Sequence, residues 1–362
     1  MSTASLTRKG IHNMENMSYN LKFATLCAKY NLGLLMNEPE PITGGLLHRM
    51  YRLQTDKAQY AVKALNPQIM QRDTAMSNYI FSEMVANLAY QKGIHAVPAI
   101  VSNGSSMHEV EGQFYLLFPW VQGKALPLGE IDLDCCKKIG AILAQLHIID
   151  FSQGTDDHHF ETLIASNAAV ANWKELALKG EQQRAEWSSL LADHLHKIEN
   201  WEALIHSSAS LLTNHYVISH RDLDPKNVLW DERQAPIIID WEAAGPIHPT
   251  LELIDVALYW SGSESGDLSK KAFSNLINSY LEHGGEIYAD WQVVLNYGFL
   301  GKLEWLAYNI RRSLGLESSD DAERELGTCE VIRTINALQN YADFIPQCLL
   351  WLGDLDNRHY LW

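Results

Sequence analysis

His220-Arg221-Asp222-Leu223-Asp224-Pro225-Lys226-Asn227 is the stretch on which the reading of this chain turns. It sits between two short β-like runs, HYVIS at 215–219 and NVLWD at 227–231, so it belongs to a loop. Thirteen residues after Asn227, the apolar run Pro236-Ile237-Ile238-Ile239 ends in Asp240-Trp241-Glu242. A loop thus carries Asp222 and Asn227 while a strand end carries Asp240. Phosphoryl transfer asks for such a set: a carboxylate to orient a hydroxyl, oxygen ligands for Mg²⁺, and cations to offset phosphate charge. Asp222 is the candidate base, and Asn227 and Asp240 are candidate magnesium ligands, hard oxygens of the kind that ion prefers. The competing reading makes Asp222 and Asn227 turn formers and Asp240 a cap.

The octapeptide also fits H-R-D-L-x-x-x-N, the catalytic-loop pattern of kinases. Upstream, Ala61-Val62-Lys63 fits the V-A-I-K strand whose lysine meets nucleotide phosphates. Strand alternation would aim Lys63 into a cleft and Val62 away from it. Glu83, on a helix expected over 73–92 with Asp73 as its N-cap, is the candidate ion-pair partner of Lys63. Gly44 and Gly45 allow a tight turn and close approach of backbone to phosphate. Tyr115–Val121 reads as a buried strand entering the lobe crossing, where backbone groups of Pro119 and Val121 would hold an adenine edge. Backbone reading of that kind suits ATP and GTP alike.

At these residues the chain resembles the aminoglycoside phosphotransferase/choline kinase family, small-molecule relatives of protein kinases. The resemblance runs over about residues 40–260, through ITGGLLHRMYRL, AVKAL, the LAQLH end of a helix at 132–149, HRDLDPKN and IIIDWE. It implies an ATP- and Mg²⁺-dependent phosphotransferase with Asp222 as base and with Asn227 and Asp240 on the metal. It also implies an acidic residue, Glu252 or Asp255, bracing the catalytic loop. Asp240 is followed by Trp241-Glu242 rather than Phe-Gly, and no A-P-E triplet follows. A small-molecule acceptor is therefore expected. A protein kinase, or a nucleotide-binding pseudokinase scaffold, is the alternative.

The acceptor is expected between the catalytic loop and the C-terminal helices. Candidate contacts are Asp224, Trp241 and Glu242, with Glu304, Trp305 and Tyr308 from a helix in Gly301–Asn309. Glu304 and Tyr308 share a face at i,i+4. Acidic and aromatic groups together suit an amine or quaternary ammonium, and the packing of Trp305 and Tyr308 in a core is the plain alternative.

The expected fold is α+β and bilobal. Residues 1–18 form a leader and 19–121 a nucleotide-binding lobe with an antiparallel sheet and a helix. Residues 122–362 form a larger, mainly helical lobe. A chain of 362 residues is long enough for two lobes. Its net charge of −16 argues against nucleic acid and suits a cationic ligand. No apolar run is long enough to span a membrane. Cys27, Cys135, Cys136, Cys329 and Cys348 show no CxxC spacing, so a reducing cytoplasm is expected.

Overall fold

The computed structural model describes residues 18–42, 47–151, 170–212, 215–263 and 266–359. Five strands form one antiparallel sheet: β1 Glu40–Ile42, β2 Arg49–Gln54, β3 Gln59–Ala64, β4 Met107–Val110 and β5 Gln113–Pro119, in the order β1-β2-β3-β5-β4. Alternation sorts its two faces. Val62, Ala64, Tyr115 and Leu117 are buried against helix α1, Phe23–Lys29. Leu116 packs on the other face with Ala75 and Tyr79 of helix α2, Ala75–Gln91. Lys63 stands opposite Leu116 in the β3–β5 register, so its side chain leaves on the α2 face, toward the cleft. Each fully buried aliphatic side chain here contributes about 1.5–3 kcal/mol.

Two sequence expectations change in this lobe. Helix α2 begins at Ala75 with Thr74 in the cap position and no side-chain cap bond, so Asp73 does not cap it. The run AVPAIVSN at 96–103, whose β-branched and apolar residues read as a strand in the sequence, is instead a connector. Its Val97 N–H donates to Ile238 O at 3.0 Å and its Ile100 N–H to Leu117 O at 2.6 Å. Pro98 interrupts any ladder between them. The fourth strand is instead β4, within the polar segment 102–112 that reads as a turn in the sequence.

After β5 the chain enters a mainly helical lobe. The two-residue strand β6, Lys124–Ala125, pairs with β8, Val228–Trp230, which pairs with β9, Pro236–Ile238. A second pair joins β7, Val217–Ser219, to β10, Gly245–Ile247. These short strands hold the catalytic loop between them. Helix α3, Leu133–Ile148, is capped by Asp132, which accepts from Cys135 N–H at 2.9 Å. Its stripe Ile139, Leu143 and Leu146 is fully buried. A helical pattern in the sequence over about 157–178 lies mostly on residues outside those described; the described helix Trp173–Gln182 overlaps its end. Among the described residues no helix is long and apolar enough to cross a membrane.

Helix α3 packs on Lys270–Glu282 through Gly140. A Cβ placed there would lie 2.3 Å from Leu276 O, a backbone atom with no rotamer to yield. Gly140→Ala is therefore expected to destabilise the fold by about 1–3 kcal/mol. Thermal unfolding checks this, and an unchanged or raised Tm would show that the helices separate freely.

Candidate active site

The catalytic loop is shaped by bonds within itself. Asp224 takes Lys226 N–H at 2.9 Å and Asn227 N–H at 3.2 Å on one carboxylate oxygen, capping the 3₁₀ turn Pro225–Asn227. Its other oxygen is 2.5 Å from Lys226 Nζ. With both oxygens engaged and 3 % of its surface exposed, Asp224 shapes the turn and does not face an acceptor. Asn227 Nδ2 donates to Asp222 O at 2.8 Å and to Asp222 Oδ2 at 2.9 Å, which aligns the Asp222 carboxylate and leaves the amide oxygen of Asn227 free of these bonds. Although 38 % of its side chain is exposed, partial desolvation pushes Asp222 up to about 7; Lys226 works against the rise, and the Asp224 and Asp240 carboxylates add to it. A carboxylate near neutral pH is well matched to proton exchange.

His220 is fully buried behind this loop. Its Nε2–H donates to Ile239 O at 3.0 Å and its Nδ1 accepts Asp222 N–H at 3.2 Å. Burial lowers its pKa, so it stays neutral and acts as a fixed spacer between loop and strand. Two backbone positions are held left-handed here, Arg221 at φ 65° and Asp240 at φ 60°. Each costs on the order of 1–2 kcal/mol in a non-glycine residue, and the surrounding bonds hold them. At Arg221 the restraint comes from Glu252 Oε1, which accepts the backbone N–H at 2.6 Å. Glu252 Oε2 receives His147 Nε2 at 2.8 Å, and His147 Nδ1 meets the Tyr280 hydroxyl at 2.8 Å. Of the two acids considered from sequence, Glu252 contacts the loop, whereas Asp255 lies 3.6 Å from Lys302.

Lys63 crosses from the sheet to this lobe. Its Nζ is 2.6 Å from both Asp240 Oδ1 and Glu242 Oε2. Burial alone would lower its pKa, but the two carboxylates outweigh it and raise the ammonium above its usual range. The Lys63–Glu83 ion pair expected from sequence does not form. Glu83 spends an oxygen on Ala99 N–H at 2.7 Å, and burial pushes its pKa up to about 7. Glu242, expected toward the acceptor, faces Lys63 instead, with His48 Nε2 at 3.4 Å. His48 is buried and held well below the ordinary imidazole range by burial and by Lys63. It accepts Asn66 N–H at 2.9 Å and bonds the Tyr79 hydroxyl at 2.6 Å. Sequence reasoning missed this His48–Tyr79 link because nothing local joins the two residues.

Trp241 is 2 % exposed and donates its indole N–H to Ile238 O at 3.2 Å. It is core and not an acceptor contact. Gly44 and Gly45 lie outside the described residues. Pro119 ends β5 and is exposed, Val121 is half-buried, and Trp120 N–H donates to Gln59 O at 3.2 Å while its ring sits under Arg52.

Tyr79, bonded to His48, lines a cleft of about 510 Å³, walled by Leu47, Arg72 and Tyr79 on one side and by Glu304, Trp305 and Tyr308 on the other. The three acceptor candidates of the Phe299–Ser313 helix therefore share one wall. Burial raises the Glu304 pKa, and the Arg221 guanidinium, acting from the catalytic loop, tempers the rise.

Magnesium fits the oxygen set by its chemistry. Mg²⁺ is commonly held by one or two protein oxygens, with phosphates and water completing the shell. Asn227 and Asp240 offer such a pair. Among the described residues no cluster of three His, Cys, Asp or Glu side chains is placed to hold a metal alone.

The fold has solved counterparts. A spectinomycin phosphotransferase in complex with ADP and spectinomycin superposes with TM-score 0.63 at 14 % identity, over 88 % of this chain and 97 % of that one. A microcompartment-associated aminopropanol kinase gives 0.59 at 16 %, over 89 % and 98 %. A Plasmodium vivax ethanolamine kinase gives 0.54 at 18 %, over 82 % and 81 %. At such identities the likeness is one of fold. No curated protein matches the sequence. A sequence model of the phosphotransferase enzyme family, however, matches residues 38–294. That span takes in the sheet, Lys63, the catalytic loop, Asp240 and Glu252, and the chain belongs to the phosphotransferase enzyme family.

Proposed function

We propose that the protein transfers the γ-phosphate of ATP, presented with Mg²⁺, to a hydroxyl of a small amine-bearing acceptor seated in the cleft beside Glu304. The observation that carries this reading is convergence. Lys63 from the sheet meets Asp240, and Asn227 holds the Asp222 carboxylate on the loop that His220 ties to Ile239, the residue before Asp240. The metal, when bound by Asn227 and Asp240, would neutralise phosphate charge. Lys63 supplies a cation to the phosphates, Asp222 orients the acceptor hydroxyl and takes its proton, and Asn227 fixes the Asp222 rotamer. These roles are positioning and electrostatics, the main resources of phosphoryl transfer. Glu304 and Trp305 suit an ammonium group. Spectinomycin, ethanolamine and aminopropanol, named for the similar folds, all pair amine with hydroxyl groups.

Glu304→Gln tests the placement. In an ADP-release assay with ethanolamine, aminopropanols, choline and aminoglycosides, the variant is expected to raise the KM of the accepted amine about tenfold, the worth of one charge-assisted bond. The KM for ATP should not follow. Equal shifts in both would remove Glu304 from the acceptor site, and ADP release indifferent to every acceptor would remove the transferase reading.

A further inference from the structure

Resting on that placement of the acceptor, we infer that the far end of the cleft is a carboxylate site, so that the acceptor carries an anionic group as well as an ammonium and a hydroxyl. Three segments remote in sequence meet there. Arg72 comes from the sheet lobe, Arg311 from the Phe299–Ser313 helix, and Glu317 from the segment that follows it. Glu317 takes one N–H from each guanidinium, Arg72 Nη2 at 2.5 Å and Arg311 Nε at 2.5 Å. A guanidinium has five N–H donors in a fork that matches carboxylate geometry, so both arginines keep donors to offer to the cleft.

Between the arginines stands Tyr308. Its ring centroid is 5.5 Å from Arg72 Cζ and 5.9 Å from Arg312 Cζ. The residue lines the cleft, is 7 % exposed, and its hydroxyl has no hydrogen-bond partner. Behind it Arg312 is 2 % exposed with Nε and Nη1 also unpartnered, its nearest acid being Glu323 at 4.0 Å. Buried polar groups are almost always satisfied, so a phenol left open in the wall of a cleft marks a place where a ligand completes the set.

The charge balance selects the ligand. Two guanidiniums, Arg72 and Arg311, line this end of the cleft with one carboxylate, Glu317. One positive charge is left over, enough for a monoanion and short for a phosphate dianion. Glu304 lies seven residues before Arg311 on the same helix, about 10 Å along its axis, so the cleft is negative at one end and positive at the other. A polycation would meet the arginines unfavourably, and a zwitterion would meet a complement at each end.

The test is calorimetric titration of the full chain, with ADP and Mg²⁺ present, using pairs that differ only by a carboxylate. Serine is set against ethanolamine, threonine against 1-aminopropan-2-ol and homoserine against 3-aminopropan-1-ol. The carboxylated member of at least one pair is expected to bind about tenfold more tightly than its partner. Arg311→Gln and Arg72→Gln, both at half-exposed side chains that tolerate replacement, should bring that ratio close to one, and Tyr308→Phe should reduce it. Preference for the decarboxylated member, or no binding by any carboxylated one, overturns the inference. So does an equal loss for both members in the arginine variants, which would show that the arginines only tie the Glu317 segment down. Glu304→Gln keeps the two readings apart. If it weakens both members while the arginine variants leave the ratio intact, the carboxylate site falls and the acceptor placement stands. If it changes neither, the placement itself falls.

Discussion

Asp222→Asn is expected to lower kcat by about 10²–10⁴-fold, the usual worth of a positioned proton acceptor. The substitution is nearly isosteric, and the loop around it is held by bonds that do not use the Asp222 charge. Asp224 caps the 3₁₀ turn, His220 takes the Asp222 backbone N–H, and Glu252 takes that of Arg221. The amide oxygen of an asparagine can still accept from Asn227 Nδ2, which now bonds Asp222 Oδ2 at 2.9 Å. What is lost is the capacity to take a proton from the acceptor hydroxyl. ATP affinity, measured by titration with a fluorescent nucleotide, should change by no more than about threefold, because a partly exposed charge is screened by solvent. A variant that retains kcat within about tenfold would show that Asp222 only shapes the turn. One that loses ATP binding as well would make Asp222 part of the nucleotide site.

How much of this was legible in the sequence depended on distance along the chain. The catalytic loop was readable because its working groups sit within eight residues and its turn chemistry is local, as Asp224 and Asn227 show. Lys63 was readable because strand alternation fixes which way it points. The Glu83 error has a different origin. A helical glutamate near a strand lysine has two candidate partners, and the sequence does not display the connector whose Ala99 N–H takes the carboxylate. Glu242 was assigned to the wrong side of the site for a related reason: Asp240 in a left-handed conformation swings the following turn back onto Lys63, and nothing in IIIDWE announces that φ. The carboxylate-facing end of the cleft was invisible. Arg72 and Glu317 are 245 residues apart, and an isolated arginine on a polar stretch looks like any solvated side chain. Chemistry carried by one loop is written locally, whereas specificity assembled from three segments is written only in the fold.

Glu252→Ala should be the costliest single change away from the reacting groups. Glu252 is 1 % exposed, and its two oxygens serve two elements, the Arg221 N–H at 2.6 Å and His147 Nε2 at 2.8 Å. Removing the carboxylate leaves two buried donors, the Arg221 N–H and His147 Nε2, without their acceptor, at a cost of about 1–3 kcal/mol each. Here the loss also frees the left-handed Arg221, so kcat should fall together with Tm even though Glu252 touches no substrate. Glu252→Gln should recover part of both, because its amide oxygen can still accept the Arg221 N–H. The pH dependence separates this brace from a simple packing loss. Burial would raise the Glu252 pKa, but the bonds from His147 and from Arg221 outweigh it and hold the pKa below the ordinary carboxylate range. A depressed carboxylate contributes its full stability above its unfolded pKa, near 4.3, and loses it as the pH falls through the lower folded value. The gap in stability between wild type and Glu252→Ala should therefore be widest near neutral pH and close on acidification below about pH 4. Denaturant unfolding at a series of pH values reads that gap directly. A gap that stays constant into the acid range would mean that the alanine variant fails through a cavity, and that the catalytic loop does not depend on the charge of Glu252.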